Sequence, residues 1–339
     1  MSSSSVSDGI LSFATQYSIY SGFITFSFGV IGNALNILVF TQLKLFRTNR
    51  CAFYITIESI SNLIYQFLSI TLTILTSIYG DDATGRSSIW CKLRYIMGQT
   101  CALTTFYMIC FSAVDQFFST NHRYNLRQMC TLKLGRYVTF IFVCFAIIHS
   151  IALGSSYGIQ PTFGCVISDH TWVQYSTYFF YPALVGLLPI VIASSFSILA
   201  YRNVRHIVRR QLPIVRRKLD KQITAMVLMR VIAFVCLVSS YNAYRIYATN
   251  FPPSRSMPMA YAIGRLLQTI ILSINNINYI ISFYLFTIFS SRFRRQVKLV
   301  LVKKCWQRCK YWCCSINNRI ESENNVEPCN SQMESEENM

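Results

Sequence analysis

An all-α membrane protein, a bundle of seven transmembrane helices with a short amphipathic eighth helix, is the fold class this sequence predicts. Seven apolar stretches run at about 17–43, 53–79, 91–119, 134–158, 175–202, 221–248 and 260–288. Each has the roughly 20 mainly apolar residues that a bilayer-crossing helix needs. The 339-residue chain is 53% hydrophobic and only 13% charged, which leaves room for all seven. A soluble helical protein would keep a polar face on each helix, whereas Phe140 to Leu153 and Tyr178 to Leu199 are apolar on nearly every side.

The formal charge of +18 raises the question of nucleic acid, and the positions of the basic residues answer it. Most of the 31 Lys and Arg fall in four places: Lys44 to Arg50, Arg123 to Arg136, Arg202 to Lys221, and the tail from Arg292 onward. All four lie on one side of a membrane if the spans alternate. The positive-inside rule makes that side the cytoplasm, with an extracellular N-terminus, a cytoplasmic C-terminus and a multi-pass plasma-membrane location. The excess charge then reflects topology and the anionic lipid bilayer, not nucleic acid.

Taken in order, residues 1–16 are Ser-rich without a basic n-region. They predict an extracellular N-terminus with no cleaved signal peptide, the first span serving as its own anchor. No Asn-x-Ser/Thr sequon occurs in the outer segments, so nothing there predicts N-glycosylation. The seven-transmembrane domain fills 17–290. Of the 13 cysteines, only Cys91, where the third span opens, and Cys165, before the fifth, face an oxidising space. These two should be bonded, the alternative being two unrelated buried thiols. Residues 291–314 carry the amphipathic helix, with Phe293, Val297, Val300 and Leu301 alternating with basic residues. Cys305, Cys309, Cys313 and Cys314 follow in a context that suits S-palmitoylation as well as it suits ordinary reduced cysteines. Residues 315–339, rich in Asn, Ser and Glu, should be a disordered cytoplasmic tail.

Helical spacing selects the inward faces of the outer half. Arg94, Tyr95, Gly98, Gln99 and Ala102 share a face of the third span. Tyr241, Asn242, Arg245 and Ala248 do so on the sixth, and Arg265, Gln268, Leu272 and Asn276 on the seventh. Arginines without carboxylates favour a ligand with a negative charge, a peptide C-terminus or a small organic anion. The alternative is that each arginine snorkels to the headgroups. His122, His149, His170 and His206 are scattered, and no paired carboxylates, metal-spaced cluster or Gly-rich phosphate loop occurs. The sequence therefore predicts no enzyme, metal or cofactor.

With seven spans and one outer disulfide, the chain resembles a rhodopsin-like (class A) G-protein-coupled receptor, and particular residues carry the likeness. Gly32-Asn33 matches the family's Gly-Asn pair in the first span, and Ser59 to Leu63 occupies the Leu-Ala-x-x-Asp place in the second. Asp115, Gln116 and Phe117 stand where the family has Asp-Arg-Tyr, Pro189 marks the fifth span, and Asp220 is the acidic start of the sixth. Phe293-Arg294-Arg295 looks like the start of the family's eighth helix. The stretch Cys51 to Tyr54, with Ser59-Ile60-Ser61 and Ser119-Thr120, looks most like invertebrate FMRFamide-type peptide receptors. The likeness implies an extracellular ligand and a heterotrimeric G protein as partners. Amine receptors have an Asp at the place of Gly98, and opsins a Lys in the seventh span, so neither amines nor retinal is expected.

Departures from the family pattern matter equally. Gln116 replaces the arginine that reaches toward the G protein, and Asn62 replaces the carboxylate of the sodium site. The sixth span has Ser240 at the place of its proline, and Ser282 to Phe286 stands where Asn-Pro-x-x-Tyr belongs. Without those prolines the sixth and seventh helices lose their main identifiable cause of kinking. Aligned on these motifs, Glu58 and Arg230 lie at similar depth inside the apolar slab, where either alone would be costly. Paired, they can form a two-state lock. The alternative is a protonated Glu58 with Arg230 reaching the inner phosphates. Arg202, Arg205, Arg209, Arg210, Arg216, Arg217 and Lys218 form a basic extension that suits anchoring, inner-leaflet lipid or a G protein.

The sequence thus reads as a receptor that binds an extracellular peptide or small anion and signals to a G protein. One alternative is a seven-helix binding protein with weak or no coupling, for which Gln116 argues. The other is a transporter or channel, against which the absence of internal repeats argues.

Overall fold

The computed structural model describes residues 3–43, 49–79, 87–121, 123, 125, 128, 131–160, 164–207, 214–251 and 257–305, without the side chains of 3, 4, 79, 206, 207, 214–220 and 303–305. Arg209, Arg210, Arg216, Arg217 and Lys218, the cysteines Cys305, Cys309, Cys313 and Cys314, and the tail after Ser315 lie outside the described side chains. Among the described residues, those up to Arg294 form one compact unit and those from Arg295 to 305 belong to a second.

Helix α1 runs Ser3–Gln42. It begins about four turns before the expected start, because no proline stops it and Ser7 and Ala14 find buried places. Helix α2 comprises Arg50–Tyr65, a π-helical turn Gln66–Ile70 and Thr71–Tyr79. The side chain of Asn49 caps its start by accepting the Ala52 N–H at 3.2 Å. Helix α3, Ser88–Thr120, is the most enclosed of the spans and packs against α2, α4 (Leu132–Ser155) and the helix Leu188–Ile207 of the fifth span.

After α4 comes an antiparallel hairpin that the sequence reading missed, β1 (Tyr157–Gln160) paired with β2 (Gly164–Ile167). Gly164 has φ +78°, a backbone that favours glycine, and opens β2. The expected disulfide joins Cys165 on β2 to Cys91 on α3, so the hairpin is stapled to the end of the central helix. Helix α5 comprises His170–Tyr175, a π-helical stretch Ser176–Leu187 and Leu188–Ile207. Pro182 lies in the π stretch, where the wider winding accommodates a residue without an N–H.

Helix α6, Ile214–Asn250, is uninterrupted, as its lack of proline leads one to expect. The seventh span corrects that same argument. Its halves, α7 (Pro258–Asn278) and α8 (Ile281–Phe289), meet at a 53° bend. Tertiary contacts replace the missing proline as the cause. The carbonyls freed at the break are taken by other helices: Asn278 O accepts from Arg230 Nη2 at 2.9 Å, and Tyr279 O from Asn33 Nδ2 at 2.9 Å. Helix α9, Ser291–Lys298, follows, with Phe293 buried among Phe40, Phe283 and Phe286.

Large apolar side chains such as Phe140, Ile148, Tyr178, Leu187 and Ile288 cover the outside of the bundle. In water so much apolar surface would be a liability, whereas lipid is its matching solvent. Six described helices are long and apolar enough to cross a membrane, and α7 with α8 make a seventh. The chain is a multi-pass membrane protein.

Candidate ligand and coupling sites

At the hairpin end, a cavity of about 250 Å³ lies beneath β1 and β2, with Tyr95, Tyr157, Arg245, Ala248 and Asn250 among its walls. Tyr95 and Tyr157 stack with ring centroids 3.7 Å apart, which ties α3 to the hairpin. Burial pushes the Tyr157 phenol well above its ordinary value, so it stays neutral. Arg245 donates from Nε and Nη2 to Tyr181 Oη at 3.0 and 2.6 Å, and Gln99 Nε2 lies 3.4 Å from the same oxygen. One phenol thereby joins α3, α5 and α6. Arg245 has no carboxylate partner among the described residues.

The sequence-selected residues fall into two groups. Tyr95 and Arg245 meet under the hairpin, with Gln99 linked to them through Tyr181. Arg94, Arg265, Gln268 and Asn276 instead border a second cavity of about 90 Å³ between α1, α2, α3 and α7. Gly98 faces Ser69 on α2, and Tyr241 is half-buried; neither borders either cavity. Tyr181 and Tyr157 were missed, because a tyrosine in or beside an apolar stretch reads as core.

Midway along the bundle, the amide of Asn62 stands where the family has a carboxylate. Asn62 Nδ2 donates to Asn33 Oδ1 at 3.3 Å, and Thr105 donates to Asn62 Oδ1 at 2.8 Å. This neutral network holds Asn33 in place to cap the α7–α8 break.

Farther from the hairpin, Arg230 Nε lies 2.8 Å from Glu58 Oε1, with both side chains at most 3% exposed. Arg230 Nη1 donates to Asn278 Oδ1 at 2.8 Å, and Ser282 donates to Glu58 Oε1 at 2.8 Å. The cluster joins α2, α6 and both sides of the break. Asn278 escaped the sequence reading, since a neutral polar residue in a span carries little cost to flag it, and Ser282 stands out in the sequence only at the place of Asn-Pro-x-x-Tyr, not as a partner of Glu58.

Next to it, Asp115 pairs with Arg50 at 3.0 Å, a partner from α2 that the sequence did not suggest. Gln116 Nε2 donates to Thr224 Oγ1 at 2.6 Å, so α3 is tied to α6 by a neutral hydrogen bond. Cys51 lies against both, its thiol 3.1 Å from Gln116 Oε1. Phe117 packs on Phe196 of α5 with centroids 5.3 Å apart.

Among curated proteins none matches the chain. The family model of the 7 transmembrane receptor (rhodopsin family) matches residues 32–281, which include the second to sixth spans, the hairpin, the Glu58–Arg230 and Asp115–Arg50 pairs and the α7–α8 break. The chain belongs to the rhodopsin family of seven-transmembrane receptors.

Proposed function

We propose that the chain is a plasma-membrane receptor whose signalling ligand carries a negative charge, binds beneath the hairpin at Arg245, and drives a heterotrimeric G protein. The hairpin end faces outward on this reading, because its disulfide needs an oxidising space and the basic connections belong to the cytoplasmic side. The observation that carries the ligand assignment is Arg245, a cation in a cavity wall bonded to a phenol and to no carboxylate among the described residues. A peptide C-terminus or a small organic anion would supply the missing charge, in keeping with the resemblance to peptide receptors. Screening peptides and small anions with a readout that reports any G protein tests it. With the ligand found, Arg245→Gln should weaken binding by about 1.5–3 kcal/mol, the scale of a hydrogen bond to a charged partner. Surface expression should hold. An unchanged affinity, or an equally potent cationic ligand, refutes the assignment.

A second reading, a binding protein with weak or no coupling, draws support from Gln116, whose amide is bonded to Thr224 where the family has a cation. A ligand that binds but recruits no G protein would favour it.

A further inference from the structure

We infer that the second cavity, between α1, α2, α3 and α7, is a separate site for a small free oxyanion such as a carboxylate, held between Arg94 and Arg265. It does not depend on where the signalling ligand binds. Two guanidiniums border the space, and neither has a carboxylate partner among the described residues. Arg94 is half-buried and Arg265 is exposed at the mouth, so their mutual repulsion is partly screened, and an anion between them would relieve what remains.

The hydroxyls of Thr73, Thr76, Ser77, Thr269 and Ser273 at the cavity donate to carbonyls of their own helices, so the free donors are those of the guanidiniums and two amides. Arg94 Nη2 donates to Thr73 Oγ1 at 3.2 Å, which leaves its other nitrogens available. Arg265 Nη1 donates to Gln268 Oε1 at 3.3 Å. Since arginine can only donate, that contact fixes the Gln268 oxygen toward Arg265 and leaves the amide NH₂ to donate. Tyr65 donates to Asn276 Oδ1 at 3.1 Å, and with the amide in that orientation its NH₂ is left to donate. Four donor side chains thus border one cavity that holds no carboxylate.

Size selects the ligand further. The space is about 90 Å³, and one water needs roughly 10–15 Å³ by this measure. A handful of heavy atoms fits, such as acetate, and a peptide does not. An anion there would clamp the ends of four helices, so its binding should register as stability.

The test is thermal unfolding of the full chain in neutral detergent, titrated with sodium acetate against sodium chloride at matched ionic strength. A saturable rise in midpoint at millimolar acetate is expected for wild type and for Arg245→Gln. Arg94→Gln and Arg265→Gln should each lose it, and Thr73→Ala should retain most of it. Arg94→Lys, which keeps the charge, should recover part and guards against a variant that merely misfolds. A linear rise shared by all variants would mean a general salt effect and overturn the site, as would a saturable rise that survives Arg94→Gln. Repeating the titration in nanodiscs of neutral and of anionic lipid separates the sources. Protection that needs anionic lipid and that acetate never gives would assign the cavity to a headgroup and overturn the free-anion site.

Discussion

The Arg230 guanidinium directs its three nitrogens to three acceptors: the Glu58 carboxylate, the Asn278 side chain and the Asn278 carbonyl. One residue therefore closes an ion pair and caps a broken helix. Because the pair is at most 3% exposed, removing one partner strands a charge, a loss on the order of 3–5 kcal/mol in buried pairs. Glu58→Gln and Arg230→Met should each destabilise the protein or raise basal signalling, and the double variant should recover part of the loss. Thermal unfolding and basal G-protein activity of the four proteins form the cycle, and strictly additive effects would mean the residues act independently. The two charges were legible in the sequence because ionisable groups inside apolar stretches stand out. Their geometry was not, since it rests on Asn278, which carries no charge to flag it, and on Ser282, which was legible only as a departure from the family's motif. Arg50 lay hidden for the opposite reason: placed among the basic residues of a connection, it reads as anchoring, although it is the partner of Asp115.

At the scale of elements, hydropathy fixed the number and the rough bounds of the spans, while their irregularities came from tertiary contacts. The missing proline removed the main identifiable cause of a kink in the seventh span and left its bend without a sequence signal, because a helix can also break where other helices supply donors to its carbonyls. The π-helical stretches at Gln66–Ile70 and Ser176–Leu187 were equally silent. Only Tyr157 and Gly158 of the hairpin fall in the fourth apolar stretch, 134–158, and the rest, with Cys165, reads as part of the outer loop. The break itself supplies a test. Asn33 donates to Tyr279 O and to Gly29 O, so Asn33→Ala leaves the Tyr279 carbonyl unsatisfied at a cost of about 1–3 kcal/mol. Unfolding should occur at lower temperature, and hydrogen exchange should quicken at the amides of Asn278 to Ile281. Protection there equal to wild type would show that the bend does not rely on Asn33.

For the whole molecule, ties onto α6 at the end remote from the hairpin include, among the described residues, Glu58 to Arg230 and Gln116 to Thr224. In the family the residue at Gln116 is an arginine that the neighbouring acid restrains. Here Asp115 is already occupied by Arg50, so restraint of α3 has passed to α2, and the link from α3 to α6 has become a neutral hydrogen bond. Such a bond contributes about 0.5–1.5 kcal/mol net, which moves a two-state balance by roughly tenfold at most. Thr224→Val keeps the shape and removes the acceptor, so basal G-protein activation should rise several-fold with ligand affinity little changed. Gln116→Arg supplies the missing cation, and if docking follows the family's geometry it should strengthen agonist-driven activation. Both outcomes are read in one nucleotide-exchange assay on membranes of matched receptor content. Should Gln116→Arg abolish a coupling that wild type performs well, that end has been rebuilt around the amide. Should neither protein activate any G protein with ligand bound, Gln116 marks a receptor fold retained for binding alone.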